Sequence, residues 1–166
     1  MSSMIFGYAT TEPVPEPAAT QVVAAAGALM QTRDWWAEPV SVAQDKKSKK
    51  LVGDTRLFLG DYSRPNGGYM VVPQDEEFLL VWGDAKFIVA RLSEWSAKFN
   101  LSWRLEMDGN EVGEITGGQP STRLIQLLDG IYSVSNISPN HIPELLKKHA
   151  ARKRPAVARF PFAPPR

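Results

Sequence analysis

"WSAKFNLSWRLEMDGNEVGEI", Trp95 to Ile115, changes its hydrophobic period halfway along, and the change marks the passage from a helix to a hairpin. Counting back from Phe99, the residues Ile88, Leu92, Trp95 and Phe99 fall at i, i+4, i+7 and i+11, one stripe of an amphipathic helix, with Lys86, Arg91, Glu94 and Lys98 mostly off it. Trp95 is therefore expected in the core. From Trp103 the pattern alternates, and Asp108-Gly109-Asn110 supplies a turn. A two-residue loop would set Trp103 against Glu114 and Glu106 against Glu111, an aromatic facing a charge and two like charges facing each other. A three-residue loop pairs Trp103 with Ile115 and Arg104 with Glu114, and is the expected register. It buries Trp103, Leu105 and Ile115 and leaves Arg104, Glu106 and Glu114 in solvent.

Upstream, "EFLLVWG" from Glu77 to Gly83 is nearly all apolar and is expected as a central strand buried on both faces, with Asp84 capping the helix that follows. Two further strands, Thr55 to Leu59 and Gly68 to Val72, are expected on either side of "GDYSRPNGG", which is dense in turn formers. "QDKKSKK", Gln44 to Lys50, has no apolar residue and reads as a solvated loop. "TTEPVPEP" predicts extended chain, so residues 1–16 are expected as an arm, and Pro17 opens a helix that reaches about Thr32. Val22, Ala26, Leu29 and Trp36 share its apolar stripe, and Gly27 is expected where a backbone comes close.

Downstream, "GGQPSTRLIQLLDG" predicts a turn and a short helix ending near Gly130, and a last helix is expected from about Ile142 to Arg152. "RPAVARFPFAPPR" holds four prolines, so residues 154–166 are expected as a second arm. The order of elements predicts an α+β fold: one domain over 17–153, with a mostly antiparallel sheet of about five strands and helices packed on one face.

Composition narrows the chemistry. At 166 residues and 43% hydrophobic, the chain can build one real core. It has no cysteine, which excludes disulfides, thiolate metal ligation and a cysteine nucleophile. No basic residue precedes Arg33 and no run of about 20 apolar residues occurs, so neither a secretory signal nor a membrane span is expected, and the reading is cytoplasmic. The net charge of +1 conceals an asymmetry: Lys147, Lys148, Arg152, Lys153, Arg154, Arg159 and Arg166 crowd into the last twenty residues without an acid. Residues 1–146 keep 12 basic against 18 acidic residues, a net −6. No basic face studded with aromatics accompanies the tail, so nucleic acid is not the expected partner.

His141 and His149 have no metal-ligand spacing, and neither G-x-S-x-G nor H-E-x-x-H occurs. "GGQPSTR" is the anion-site candidate, through Gly118, Ser121, Thr122 and Arg123, although a helix cap explains the same residues. Asp75, Glu76 and Glu77, together with the hairpin acids Glu106, Glu111 and Glu114, suit an acidic surface aimed at a basic protein. Trp35, Trp36, Tyr62 and Arg64 are candidate partner contacts. Phe160 and Phe162, two apart on stiff chain, are expected to dock into an apolar groove of this subunit or of a second copy. The leading expectation is a non-catalytic protein-binding domain, in its most concrete form a small bacterial immunity-type inhibitor. The alternatives are a structural subunit of a larger assembly using its proline-rich arms and, third, an enzyme with an acidic or anion-binding site. No cofactor is expected.

Overall fold

A computed structural model describes residues 2–32, 35, 37–59 and 74–134, with side chains over 5–32, 35, 37–57 and 81–129. Along the chain lie β1 (Ser2–Thr10), α1 (Glu16–Thr32), β2 (Ala43–Gln44), β3 (Leu51–Leu59), α2 (Gln74–Phe99), β4 (Trp103–Met107), β5 (Asn110–Thr116), β6 (Gln119–Pro120) and α3 (Thr122–Val134). The six strands form one antiparallel sheet in the order β2-β3-β1-β4-β5-β6, which is the expected α+β class. β2 and β6 are two-residue strands at the edges.

β1 is the correction of most consequence. Residues 2–10, expected as part of an arm, are paired on both sides, Phe6 with Thr55 of β3 and with Met107 of β4. Phe6, Tyr8 and Thr10 alternate inward and are buried, which is what makes this segment a strand. β3 and β4 both run antiparallel to β1, so they run parallel to each other, and α2 carries the chain across from one to the other.

α2 corrects a second expectation. Glu77–Gly83 is helix and not a central strand, and Asp84 is not a cap but a buried residue in mid-helix. A short apolar run fits a buried strand and a buried helix equally well by periodicity. The helical stripe settles it: Val81, Trp82, Ala85, Ile88, Val89 and Leu92 are all buried, extending the Trp95 face backward by two turns. The carboxylate of Asp84 accepts the Ala37 N–H at 2.7 Å, tying the segment after α1 to the helix layer.

The hairpin realises both registers considered for it. Trp103 faces Ile115 and Arg104 faces Glu114, as expected, while nearer the tip Glu106 faces Glu111 and Met107 faces Asn110. A bulge between the two regions absorbs the extra residue, so the loop itself is the two-residue Asp108-Gly109 turn, with φ of 50° and 84°. Of the loop expected over Gln44–Lys50, Gln44 pairs with Leu51 as the last residue of β2 and the remainder closes the β2–β3 hairpin, where Ser48 donates from both its N–H and its hydroxyl to the Asp45 carboxylate. These bonds hold Asp45 below the usual carboxylate range.

One contiguous core joins the inward faces of β1, β3, β4 and β5 to α1, α2 and α3. The chain over 37–42 runs alongside β3 towards β2, the Glu38 N–H donating to the Arg56 carbonyl, and Gly53 allows its close approach, because a Cβ there would sit 1.9 Å from the Ser41 carbonyl oxygen. The Tyr8 hydroxyl accepts the Ser41 N–H at 3.1 Å and lies 3.0 Å from Thr55 Oγ1. Burial pushes its pKa up to about 12, outweighing those hydrogen bonds. Gly27, expected at a close backbone approach, instead faces solvent with open space around it. α3 runs through Gly130 to Val134. The strand expected over Gly68–Val72 and the helix over Ile142–Arg152 lie outside the described residues, as does the proline-rich arm.

Candidate functional site

Among the described residues, the helices cover one face of the sheet and leave the other open. Outward-pointing positions are Ile5, Gly7 and Ala9 on β1, Val52, Asp54 and Arg56 on β3, Arg104 and Glu106 on β4, and Glu111 and Glu114 on β5. An uncovered face of an antiparallel sheet is ordinarily lined with polar side chains. Here its centre is small and apolar: Gly7 and Ala9 leave a trough along β1, and Ile5 and Val52 beside it are 45% and 38% exposed. The trough is a shallow depression of about 300 Å³ lined by Ile5, Gly7, Tyr8, Ala9, Val52, Gly53, Asp54, Arg104 and Glu106. A second depression of about 210 Å³ shares Ile5 and Asp54 with it and adds Glu38 and Arg56.

The register sets the charges in rows across the strands. Gly7 pairs with Asp54 on one side and Glu106 on the other, and Glu106 pairs in turn with Glu111, so three carboxylates and a gap occupy one row. With strands about 4.8 Å apart, Asp54 and Glu106 stand roughly 10 Å from each other across the Gly7 gap. A Cβ added at Gly7 would meet nothing within 4 Å. In the next row Val52, Ala9, Arg104 and Glu114 lie side by side, and in the row on the other side Ile5 pairs with Arg56, so Arg104 and Arg56 flank the acids. Glu106 directly opposite Glu111 is a like-charge pair that weakens the hairpin in isolation.

The residues singled out from sequence fare differently. Trp35 is fully buried, its indole N–H donating to the Leu29 carbonyl at 3.1 Å and its ring edge-on to Phe87, so it is scaffold and not an exposed anchor. Trp36, Tyr62, Arg64, Phe160 and Phe162 lie outside the described residues, as do His141 and His149. Asp75, Glu76 and Glu77 sit on the first turn of α2, in the helix layer and away from the hairpin acids, with side chains outside the described set. Carboxylates there suit the positive end of the helix dipole. The anion-site candidates point to separate partners. The Gly118 N–H donates to Ser96 Oγ, Ser121 Oγ accepts the N–H groups of Glu114 and Leu124, and the Arg123 guanidinium donates to the Glu111 carbonyl at 2.7 Å. Ser121 thus caps α3, with exposed Thr122 as the first residue of the helix.

Of the acids named from sequence, the hairpin set Glu106, Glu111 and Glu114 is the one the sheet gathers on its open face. Sequence reasoning missed Gly7, Ala9, Val52 and Asp54. The alternation of Phe6, Tyr8 and Thr10 with small residues was the signal for Gly7 and Ala9. Among the described residues no group of three or more His, Asp or Glu side chains could hold a metal ion, and no helix is long and apolar enough to cross a membrane. In comparison with known proteins, no family model, no curated protein and no solved structure matches this chain.

Proposed function

We propose that this chain is a non-catalytic protein-binding domain whose open sheet face receives a basic protein. The observation that supports it is the acidic row at Asp54, Glu106 and Glu111, interrupted at Gly7 by a small apolar trough. A trough with flanking carboxylates accepts the alkyl stem of a lysine or arginine along its floor and its charged head at the rim. The apolar residues contribute desolvated area at the centre, and the charges steer encounter and select the partner. An immunity-type inhibitor, which covers the basic groove of an enzyme, is the concrete form of this function.

The test reverses the charges on both sides of the gap. Asp54→Lys and Glu106→Lys together are expected to leave the melting temperature within a few degrees of wild type. Basic proteins captured from native lysate by the wild-type chain are expected to be lost by the variant and by raised salt. An identical captured set with both chains refutes the proposal.

A further inference from the structure

We infer that the chain's own basic segment, residues 147–166, seats on the open sheet face and competes there with the partner. The inference rests on the proposed function, because it assigns a second occupant to the same surface. Seven basic residues and no acid stand in that segment, against a face whose central row carries Asp54, Glu106 and Glu111. Phe160 and Phe162 supply apolar groups of the kind the trough at Gly7, Ala9 and Val52 leaves uncovered. The chain length allows it. α3 ends at Val134 in the helix layer, and the 13 residues from there to Lys147 reach about 43 Å when extended, several times the ~10 Å separation of packed layers. A tethered segment acts at an effective concentration near millimolar, so even a weak cis contact holds a large part of the population. Competition of this kind multiplies the partner's apparent affinity by the unoccupied fraction of the face, and the loss is removed when the segment is neutralised.

The absence of cysteine makes the test clean, since an engineered pair holds the only two thiols. The full chain is prepared as Val52→Cys with Ala163→Cys and, as a control on an exposed residue of the helix layer, as Ile125→Cys with Ala163→Cys, so that Phe160 and Phe162 are both kept. Effective concentrations are measured by disulfide formation in a glutathione redox buffer. The Val52 pair is expected to exceed the Ile125 pair at least tenfold, as an intramolecular product by mass. The excess is expected to collapse when Arg152→Glu, Lys153→Glu and Arg154→Glu are added. If Val52→Cys fails to fold, Ala9→Cys on the same face gives the same comparison. Equal effective concentrations overturn the inference, and so does a product made only of disulfide-linked dimers. Failure here with capture still sensitive to Asp54→Lys and Glu106→Lys removes the cis contact alone. A tenfold excess with capture insensitive to those changes upholds the cis contact and removes the partner reading.

Discussion

Tyr8 places a phenol in the core where ionisation is costly, and the cost gives the protein an alkaline limit. Its pKa is raised from 10.0 to about 12 by burial, so the folded state holds its proton where the unfolded chain has lost it. Stability from this group is whole below pH 10 and falls as pH rises from 10 to 12, by about 2 to 3 kcal/mol in all. Melting curves of wild type and Tyr8→Phe from pH 8 to 12 are expected to converge over that interval. The phenylalanine variant starts lower, because it leaves the Ser41 N–H without its acceptor. Trp95→Ala is expected to cost on the order of 3 to 5 kcal/mol in chemical denaturation, with loss of folding preceding loss of binding. At this scale the sequence was legible wherever a periodic neighbourhood existed: Trp95, Trp103, Leu105 and Ile115 are buried as their spacing demands. Trp35 was opaque, because its partners Leu29 and Phe87 come from two helices that only the fold brings together.

Among elements, the β4–β5 hairpin shows how local and longer-range preferences share one structure. The turn chemistry of Asp108-Gly109 fixes the tip, the core fixes Trp103 against Ile115, and the bulge reconciles them. Sequence reasoning compared uniform registers and so chose between two halves of the answer. The like-charge pair at the tip yields a prediction: Glu106→Lys converts repulsion with Glu111 into attraction and is expected to stabilise by a few tenths to about 1 kcal/mol. In a chain of this size that raises the melting temperature by roughly 1 to 3 °C. The same change is expected to weaken capture of basic proteins, a gain in stability joined to a loss of binding. Arg104→Glu, exposed and opposite Glu114, is expected to cost at most about 1 kcal/mol by the same measurement. Glu77–Gly83 was misread because its apolar run carried no period of its own. The period becomes visible only when Val81, Ala85 and Ile88 are read as one stripe.

For the whole molecule, the sheet is assembled around a strand that the sequence presents as peripheral. Gly7 and Ala9 are poor strand formers, and prolines follow closely, so residues 2–10 lack the density of a central strand. Their place is set by partners 50 and 100 residues away. Deleting residues 2–10 is therefore expected to abolish cooperative unfolding altogether, as read by denaturant titration, where loss of a mere arm would leave the transition intact. The open face follows from the same arrangement: among the described residues the helices α1, α2 and α3 lie on one side, and small residues of the central strand form the floor of the other.

Because β1 joins β3 to β4, synthesis of the protein is a wait. About ninety residues separate the end of β1 from the start of β4, so at translation rates of about 5 to 20 residues per second β1 exists for roughly 5 to 20 seconds before its second neighbour is made. Through that interval one edge of the nascent sheet is unpaired, open to strands of neighbouring nascent chains. Gly7 and Ala9, alternating with Phe6 and Tyr8, keep one side of the waiting strand short of large apolar groups. Replacing them with valine would fill the trough and, on the ribosome, would make a strand far more prone to pair with the wrong chain.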